Sequence, residues 1–277
     1  MGATLRAAVT RLGGDADARV DAEALLAFAL ERDRGWLIAH RDDELPDALC
    51  HAFSRLVDQR ECGHPVAYLT ARRGFWNLEL EVGPGVLIPR PETELLVQLA
   101  LDRIPLDRAL RIADLGTGSG SIALALARER PRITVFGVDA SREALRIAEA
   151  NAHRLNLRNV LLLRANWLDA LPETSGFALV VSNPPYLADD DPHLQQGDLR
   201  FEPRMALASG EDGLDAIRAI VRSARSRLHC SGELLIEHGA TQGAEVRALL
   251  VAAGYASVQT WQDLGGRDRV SGGVSAD

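Results

Sequence analysis

Apolar positions recur at intervals of three and four from Ala3 to about Tyr68, so this whole stretch reads as helical. Between Asp21 and Asp33 the stripe is Leu25, Phe28 and Ala29 with Leu26 and Leu30 beside it, and Asp21 and Glu23 favour the N-terminal end. A second amphipathic helix is expected from Pro46 to Arg60, with Leu49, Phe53 and Leu56 on one face and the proline near its start. Short helices joined by short loops predict a small bundle over residues 1–73, which carries no constellation that looks catalytic.

The period then changes to two. Trp76, Leu78, Leu80 and Val82 alternate with Asn77, Glu79 and Glu81 before Gly83-Pro84-Gly85, predicting a β-hairpin linker within residues 74–91. From about Glu92 to residue 277 strands and helices alternate. Strands are expected at Leu110–Leu115, Ile133–Asp139, Val160–Ala165, Phe177–Ser182, Glu233–Glu237 and Ser257–Asp263. Helices are expected at Ile122–Glu129, Arg142–Leu155, Gly213–Leu228 and Gln242–Ala253. Such alternation predicts an α/β domain, a parallel sheet with helices on both faces.

Composition narrows the classes. With 277 residues, 47% hydrophobic and 25% charged, the chain can build a folded core, and disordered, collagen-like and disulfide-stapled classes are excluded. No window approaches a membrane span, and the first residues break into charge before a signal-peptide core could form. A soluble, cytoplasmic protein is expected. The net charge of −8 disfavours nucleic acid as a partner, and because every basic residue is Arg, lysine chemistry is excluded. Cys50, Cys62 and Cys230 form no metal-binding pair and are read as small buried hydrophobes, with no metal site expected.

The run Asp114-Leu115-Gly116-Thr117-Gly118-Ser119-Gly120 joins an expected strand to an expected helix, where open α/β sheets bind nucleotides. Its spacing is G-x-G-x-G, not the G-x-G-x-x-G that seats a pyrophosphate. That turn suits a ligand whose amino-acid portion lies against the backbone, as in S-adenosylmethionine, although a purely structural turn would look the same. Asp139, 19 residues after Gly120, closes the next strand and can accept both ribose hydroxyls; its competing role is as a helix cap near Arg142. Asn166 and Trp167 end the following strand, where an amide can address adenine's amine and an indole can cover the ring; Trp167 as core filler is the alternative.

Phe177–Ser182 runs directly into Asn183-Pro184-Pro185-Tyr186. Two prolines stiffen this corner and turn its carbonyls outward. A planar NH₂ group has two N–H donors, for which the Asn183 side-chain oxygen and the Pro184 carbonyl are fitting acceptors, and Tyr186 can stack on the flat group. Acceptors that favour positive charge at nitrogen stabilise the transition state of methyl transfer more than the ground state. The nitrogen's proton becomes acidic only afterwards, so no tuned general base is required. His193, the nearest histidine in sequence, is read as structural or solvated.

These elements, together with Leu87-Ile88-Pro89-Arg90-Pro91-Glu92-Thr93-Glu94 and the run from His193 to Pro203, make the chain resemble the HemK/PrmC release-factor glutamine methyltransferases over nearly its full length. The resemblance implies a Rossmann-like class I methyltransferase domain with a mostly parallel seven-stranded sheet. The implied substrate is the glutamine amide of the Gly-Gly-Gln tripeptide in class 1 peptide-chain release factors, with S-adenosylmethionine as cofactor. Gly116, Thr117, Gly118, Ser119, Gly120, Asp139, Asn166, Trp167 and Asn183 would hold the cofactor, Asn183 to Tyr186 would seat the glutamine, and the helical bundle would grip the release factor. Asn166 stands where relatives often carry Asp, and Ala71 where a glycine is common. Arg90 and Glu92 are expected near the substrate, with a simple salt bridge as the competing reading for Arg90. The run from Gln195 to Pro203 is expected to contact the release factor. A monomer is expected.

Two other functions fit parts of the pattern. Adenine and guanine also carry planar exocyclic amines, so a nucleic-acid methyltransferase could use the same corner after base flipping. Mixed charge and few aromatics in the bundle, with the acidic balance, argue against it. A non-catalytic cofactor sensor would not need the Asn-Pro-Pro-Tyr seat.

Overall fold

The computed structural model describes residues 1–172 and 176–275. The chain forms two compact units, residues 1–72 and 73–277.

The first unit is helical: α1 (Gly2–Arg11), α2 (Ala16–Leu30), α3 (Arg34–Ala39), α4 (Asp47–Glu61) and α5 (Val66–Leu69). Its core is Ala8, Ala22, Leu25, Leu26, Leu37, Phe53 and Val57. The helix expected over 21–33 begins earlier and stops sooner. Asp15 accepts the Ala18 N–H and starts α2, Glu31 leaves it in a left-handed conformation, and Asp33 caps α3 instead. Phe28, placed on the buried stripe by periodicity, is 43% exposed. Cys62 and Cys230 are exposed, contrary to the expectation of buried thiols.

β1 (Arg72–Phe75) begins at the last residue of the first unit, and the second unit continues with β2 (Leu78–Glu81), α6 (Glu94–Arg103), β3 (Arg111–Leu115), α7 (Ser121–Glu129), β4 (Thr134–Asp139), α8 (Arg142–Arg154), β5 (Val160–Arg164), β6 (Phe177–Ser182), α9 (Asp215–Ala224), β7 (Leu228–Glu237), α10 (Gly243–Ala252), β8 (Tyr255–Gln262) and β9 (Asp268–Ser275). The hairpin reverses at Trp76-Asn77, not at Gly83-Pro84-Gly85. The backbone N–H of Trp76 donates to Glu94, and its indole and the Asn77 amide both donate to Glu129, which outweighs the turn propensity of the later Gly-Pro-Gly. That later segment is still a turn, closed by Val86 N–H to Gly83 O at 3.1 Å.

The seven strands run in the order β5-β4-β3-β6-β7-β9-β8, with only β9 antiparallel to its neighbours. Alternate strand residues serve opposite faces. Ile112, Leu179 and Val181 pack with α6 and α7, whereas Ala113, Leu115 and Val180 pack with α9 and α10. Connections leave the sheet in opposite directions on either side of β3 and β6, so their carboxyl ends form the switch-point crevice of an open α/β sheet. The glycine run follows β3 and Asn183 follows β6.

Candidate active site

The glycine loop is held by its backbone. Gly116 and Thr117 N–H both donate to Val138 O, at 2.8 and 3.0 Å, and Gly116, Gly118 and Gly120 all adopt positive φ. Beneath it, Asp114 is fully buried; its Oδ2 accepts from Thr117 Oγ1 at 2.6 Å and from Ala123 N–H at 3.1 Å. Burial pushes the Asp114 carboxyl up to about 7 despite those bonds. On the outer side, Asn151 of α8 takes the Glu81 N–H and donates to Ser119 O and Glu81 O, locking loop and hairpin together.

A cleft of about 260 Å³ opens against this loop. Of the residues expected to hold a cofactor, Gly116, Gly118, Asp139, Asn166, Trp167 and Asn183 line it. Thr117, Ser119 and Gly120 do not: Thr117 is spent on Asp114, Ser119 is buried, and Gly120 packs on Leu124 and Ala148. Asp139 is not the cap of α8, since Ser141 performs that task through the Ala144 N–H. The Asp139 oxygens instead accept from Gly118 and Ser141 N–H at 2.9 and 2.8 Å, which fixes the carboxylate and leaves each oxygen a further lone pair. Burial raises its pKa and those amides oppose the rise. Val86, Leu87 and Met205, to which the sequence assigns no cofactor role, also line the cleft; they belong to segments brought there only by tertiary folding.

A second, more open cavity of about 1000 Å³ lies on the other side of the proline corner. Arg90, Glu92, Pro184, Tyr186 and Glu237 line it, while Pro185 faces the first cleft. Asn183 lines both. The corner is immobilised: the Tyr186 carbonyl takes a hydrogen bond from Gln242 Nε2 at 3.0 Å, and a Cβ on Gly213 would lie 2.3 Å from that same oxygen. Burial pushes the Tyr186 phenol up to about 12, keeping it neutral. Asn183 Nδ2 donates to Thr93 Oγ1 at 3.0 Å.

The Arg90 guanidinium pairs with the fully buried Glu202 carboxylate, which also accepts the Ile88 N–H at 3.3 Å. Arg90 thus makes a salt bridge, with the distant Glu202 rather than with the acids that follow it in sequence, and it also lines the larger cavity. The bridge anchors residues 188–206, an excursion closed at its base by paired bonds of Leu187 with Leu207 and Ser209. This excursion contributes Met205 to the smaller cleft and Asp198 to the larger one. His193 is exposed and bonded to Asp191 at 2.7 Å, yet lies on the larger cavity's wall. Among the described residues no cluster of three metal-ligating side chains occurs, and no helix is long and apolar enough to cross a membrane.

The residues of the smaller cleft fit S-adenosylmethionine. A Cβ on Gly116 would touch Trp167 Cζ3 at 3.5 Å, so the glycine clears space directly beneath the indole, and Asp139 offers fixed acceptors beside it.

Comparison with known families agrees with this geometry. Residues 3–70 match the family model described as the PrmC N-terminal domain, and residues 91–198 match the methyltransferase small domain. A release factor glutamine methyltransferase of Xylella fastidiosa strain Temecula1 is 52% identical over 92% of this chain and 92% of its own. One from Escherichia coli strain K12 is 44% identical over 96% of each. Among solved structures, a 16S rRNA N2 G1207 methyltransferase of T. thermophilus, in complex with AdoMet and guanosine, superposes with a TM-score of 0.56 at 21% identity, covering 74% of this chain and 49% of that one; this likeness concerns the fold.

Proposed function

The chain belongs to the release factor glutamine methyltransferases, S-adenosylmethionine-dependent enzymes, and from that premise we propose how its own residues methylate the Gly-Gly-Gln glutamine of peptide-chain release factors. The observation that carries the reading is that Asn183 lines both cavities, one suited to the cofactor and one open enough for a protein loop.

Gly116 and Gly118 admit the cofactor against the backbone, Asp139 accepts its ribose hydroxyls, and Asn166 and Trp167 flank its adenine. When bound, S-adenosylmethionine supplies an electrophilic methyl on sulfonium. The glutamine NH₂ enters from the larger cavity. Its two N–H groups donate to Asn183 Oδ1 and to the Pro184 carbonyl, which aims the nitrogen lone pair at the smaller cleft. An amide nitrogen delocalises its lone pair, so acceptors that favour positive charge there lower the barrier selectively. Tyr186, neutral and held by Gln242, covers the amide plane and excludes water. Once alkylated, the nitrogen is strongly acidic and loses its proton to solvent without a dedicated base.

Arg90 fastens the 188–206 excursion through Glu202, and that excursion with Glu92 forms the wall met by the release factor. The helical unit, which carries no catalytic constellation, grips the rest of that protein. The enzyme is read as a cytoplasmic monomer that does not act on nucleic acid, in keeping with its charge of −8.

Purified enzyme incubated with methyl-labelled S-adenosylmethionine and, in parallel, unmodified class 1 release factor, duplex DNA and ribosomal RNA tests the reading. Label is expected on the release factor alone. Label on nucleic acid without label on the release factor would overturn it.

A further inference from the structure

Asn183 presents its side-chain oxygen to a substrate amine only if its amide is turned the right way round, and an unrestrained carboxamide has no preference between its two ends. The structure holds a device for choosing. Thr93, the first residue before α6, is 2% exposed and sits behind the corner, accepting Asn183 Nδ2–H at 3.0 Å. Glu237, the last residue of β7, is 1% exposed and lines the larger cavity, and the nearby Thr93 hydroxyl favours the charged form of its carboxyl. The other face of that carboxyl is unsatisfied, because Glu237 Oε2 is buried without a hydrogen-bond partner among the described residues.

We propose that Glu237 and Thr93 are positioning residues for methyl transfer: the buried carboxylate accepts a hydrogen bond from the Thr93 hydroxyl, so Thr93 Oγ1 can only accept from Asn183, and Asn183 Oδ1 is thereby turned to the substrate amide. The inference rests on the functional reading above and adds two residues that never touch the reacting atoms. A hydroxyl has one proton; if Glu237 holds it, the contact to Asn183 must run from the amide NH₂. Were Glu237 protonated, its own O–H could face Thr93, the hydroxyl proton would be released toward Asn183, and the carboxamide would turn over. Asn183 would then offer N–H groups to the N–H groups of the glutamine, and the amine seat would be lost.

The ionised state of Glu237 is therefore the working one, and its surroundings make ionisation sensitive to pH. Arg269 of β9 and Arg90 favour the charge, Glu92 and burial oppose it, and Tyr186 faces the same region as a neutral group. Burial prevails and lifts the carboxyl to about 7. Lowering the pH through neutrality should thus reduce kcat while leaving cofactor affinity in place.

The test uses the full-length enzyme with labelled S-adenosylmethionine and an unmodified class 1 release factor, reading kcat, KM, cofactor Kd by calorimetry, and melting temperature. Thr93→Val keeps the shape and deletes the hydroxyl; kcat should fall roughly 10- to 100-fold, the scale of a misaligned reacting group, with cofactor Kd unchanged. Thr93→Ser should restore most of the rate. In an Asn183→Ala background, Thr93→Val should cost nothing further, because the relay has nothing left to orient. Glu237→Gln should flatten the acidic limb of the kcat profile.

Wild-type kcat in Thr93→Val, or an equal additional loss in the Asn183→Ala background, would overturn the relay. If Thr93→Val does not fold, Glu237→Gln decides alone: loss of the acidic limb supports the proposal and an unchanged limb refutes it. A wild-type enzyme that leaves the release factor unlabelled would sink the functional reading and the relay together, whereas an active wild type with an indifferent Thr93→Val sinks the relay only.

Discussion

Removing Arg90 should destabilise the methyltransferase unit in a way that depends on pH. Glu202 has a side chain with 0% exposure and Arg90 one with 28%, so Arg90→Ala leaves a carboxylate in the interior with only the Ile88 N–H as partner. Stripping one partner from a fully buried pair costs roughly 3–5 kcal/mol, and the partial exposure of Arg90 lowers this to about 2–4 kcal/mol. For a unit of this size that corresponds to a fall in Tm of roughly 2–4 °C per kcal/mol. Burial already raises the Glu202 pKa, and Arg90 is the main charge opposing it. A buried acid with a raised folded pKa binds protons more tightly when folded, so its stability is greatest at low pH and falls as pH rises toward the folded pKa. Without Arg90 the folded pKa climbs further and the falling window extends upward. The penalty of Arg90→Ala should accordingly be larger at pH 8 than at pH 5, because acidification relieves the stranded charge by protonating Glu202 more readily in the variant. Glu202→Gln, which keeps an acceptor for Ile88 and for Arg90, should cost less than Arg90→Ala at pH 8. Urea unfolding of wild type, both single variants and the double variant measures this. A coupling below about 0.5 kcal/mol, or a penalty independent of pH, would refute the reasoning.

Three further outcomes follow from individual residues. Asn183→Ala should cut kcat by about 100-fold or more while cofactor Kd changes little, read by single-turnover methyl transfer and calorimetry. Gly120→Ala should destabilise by about 2–4 kcal/mol in urea unfolding, since φ is +85° and the new Cβ would lie 2.9 Å from Leu124 Cδ1 and 3.3 Å from Ala148 Cβ. Ala71 has φ +55°, where a side chain is strained; Ala71→Gly should stabilise by about 0.5–1 kcal/mol once the glycine's extra unfolded-state entropy is subtracted, and a loss of stability would contradict that geometry.

Much of the sheet was legible because its strands alternate or run apolar between glycine turns, and the parallel order follows from their alternation with helices. The strand β9 was not. Its Gly272 and Gly273 weaken any strand propensity, yet they are required there: a Cβ on Gly272 would come within 2.5 Å of Leu234 O in the neighbouring strand. Likewise α6 is apolar on most of its surface, so Leu96, Val97, Leu99, Ala100 and Leu101 show no clean stripe although all are buried. The candidate site divides in the same way. Asn183 to Tyr186 and the glycine run are contiguous, and a local pattern exposes them. Thr93 and Glu237 are 144 residues apart and meet only because the end of β7 lies behind the corner after β6. Within the glycine run itself, pattern alone did not separate Gly116 and Gly118, which face the cleft, from Thr117, Ser119 and Gly120, which hold the loop's underside.

A crystal structure of the enzyme with S-adenosylhomocysteine and a release factor, or a peptide bearing Gly-Gly-Gln, tests the central claim most directly. The glutamine nitrogen should lie at hydrogen-bonding distance, about 2.7–3.2 Å, from both Asn183 Oδ1 and the Pro184 carbonyl, with the sulfur in the cleft beside Gly116 and Trp167. A glutamine held by other acceptors, or a sulfur lodged away from that cleft, would contradict the account.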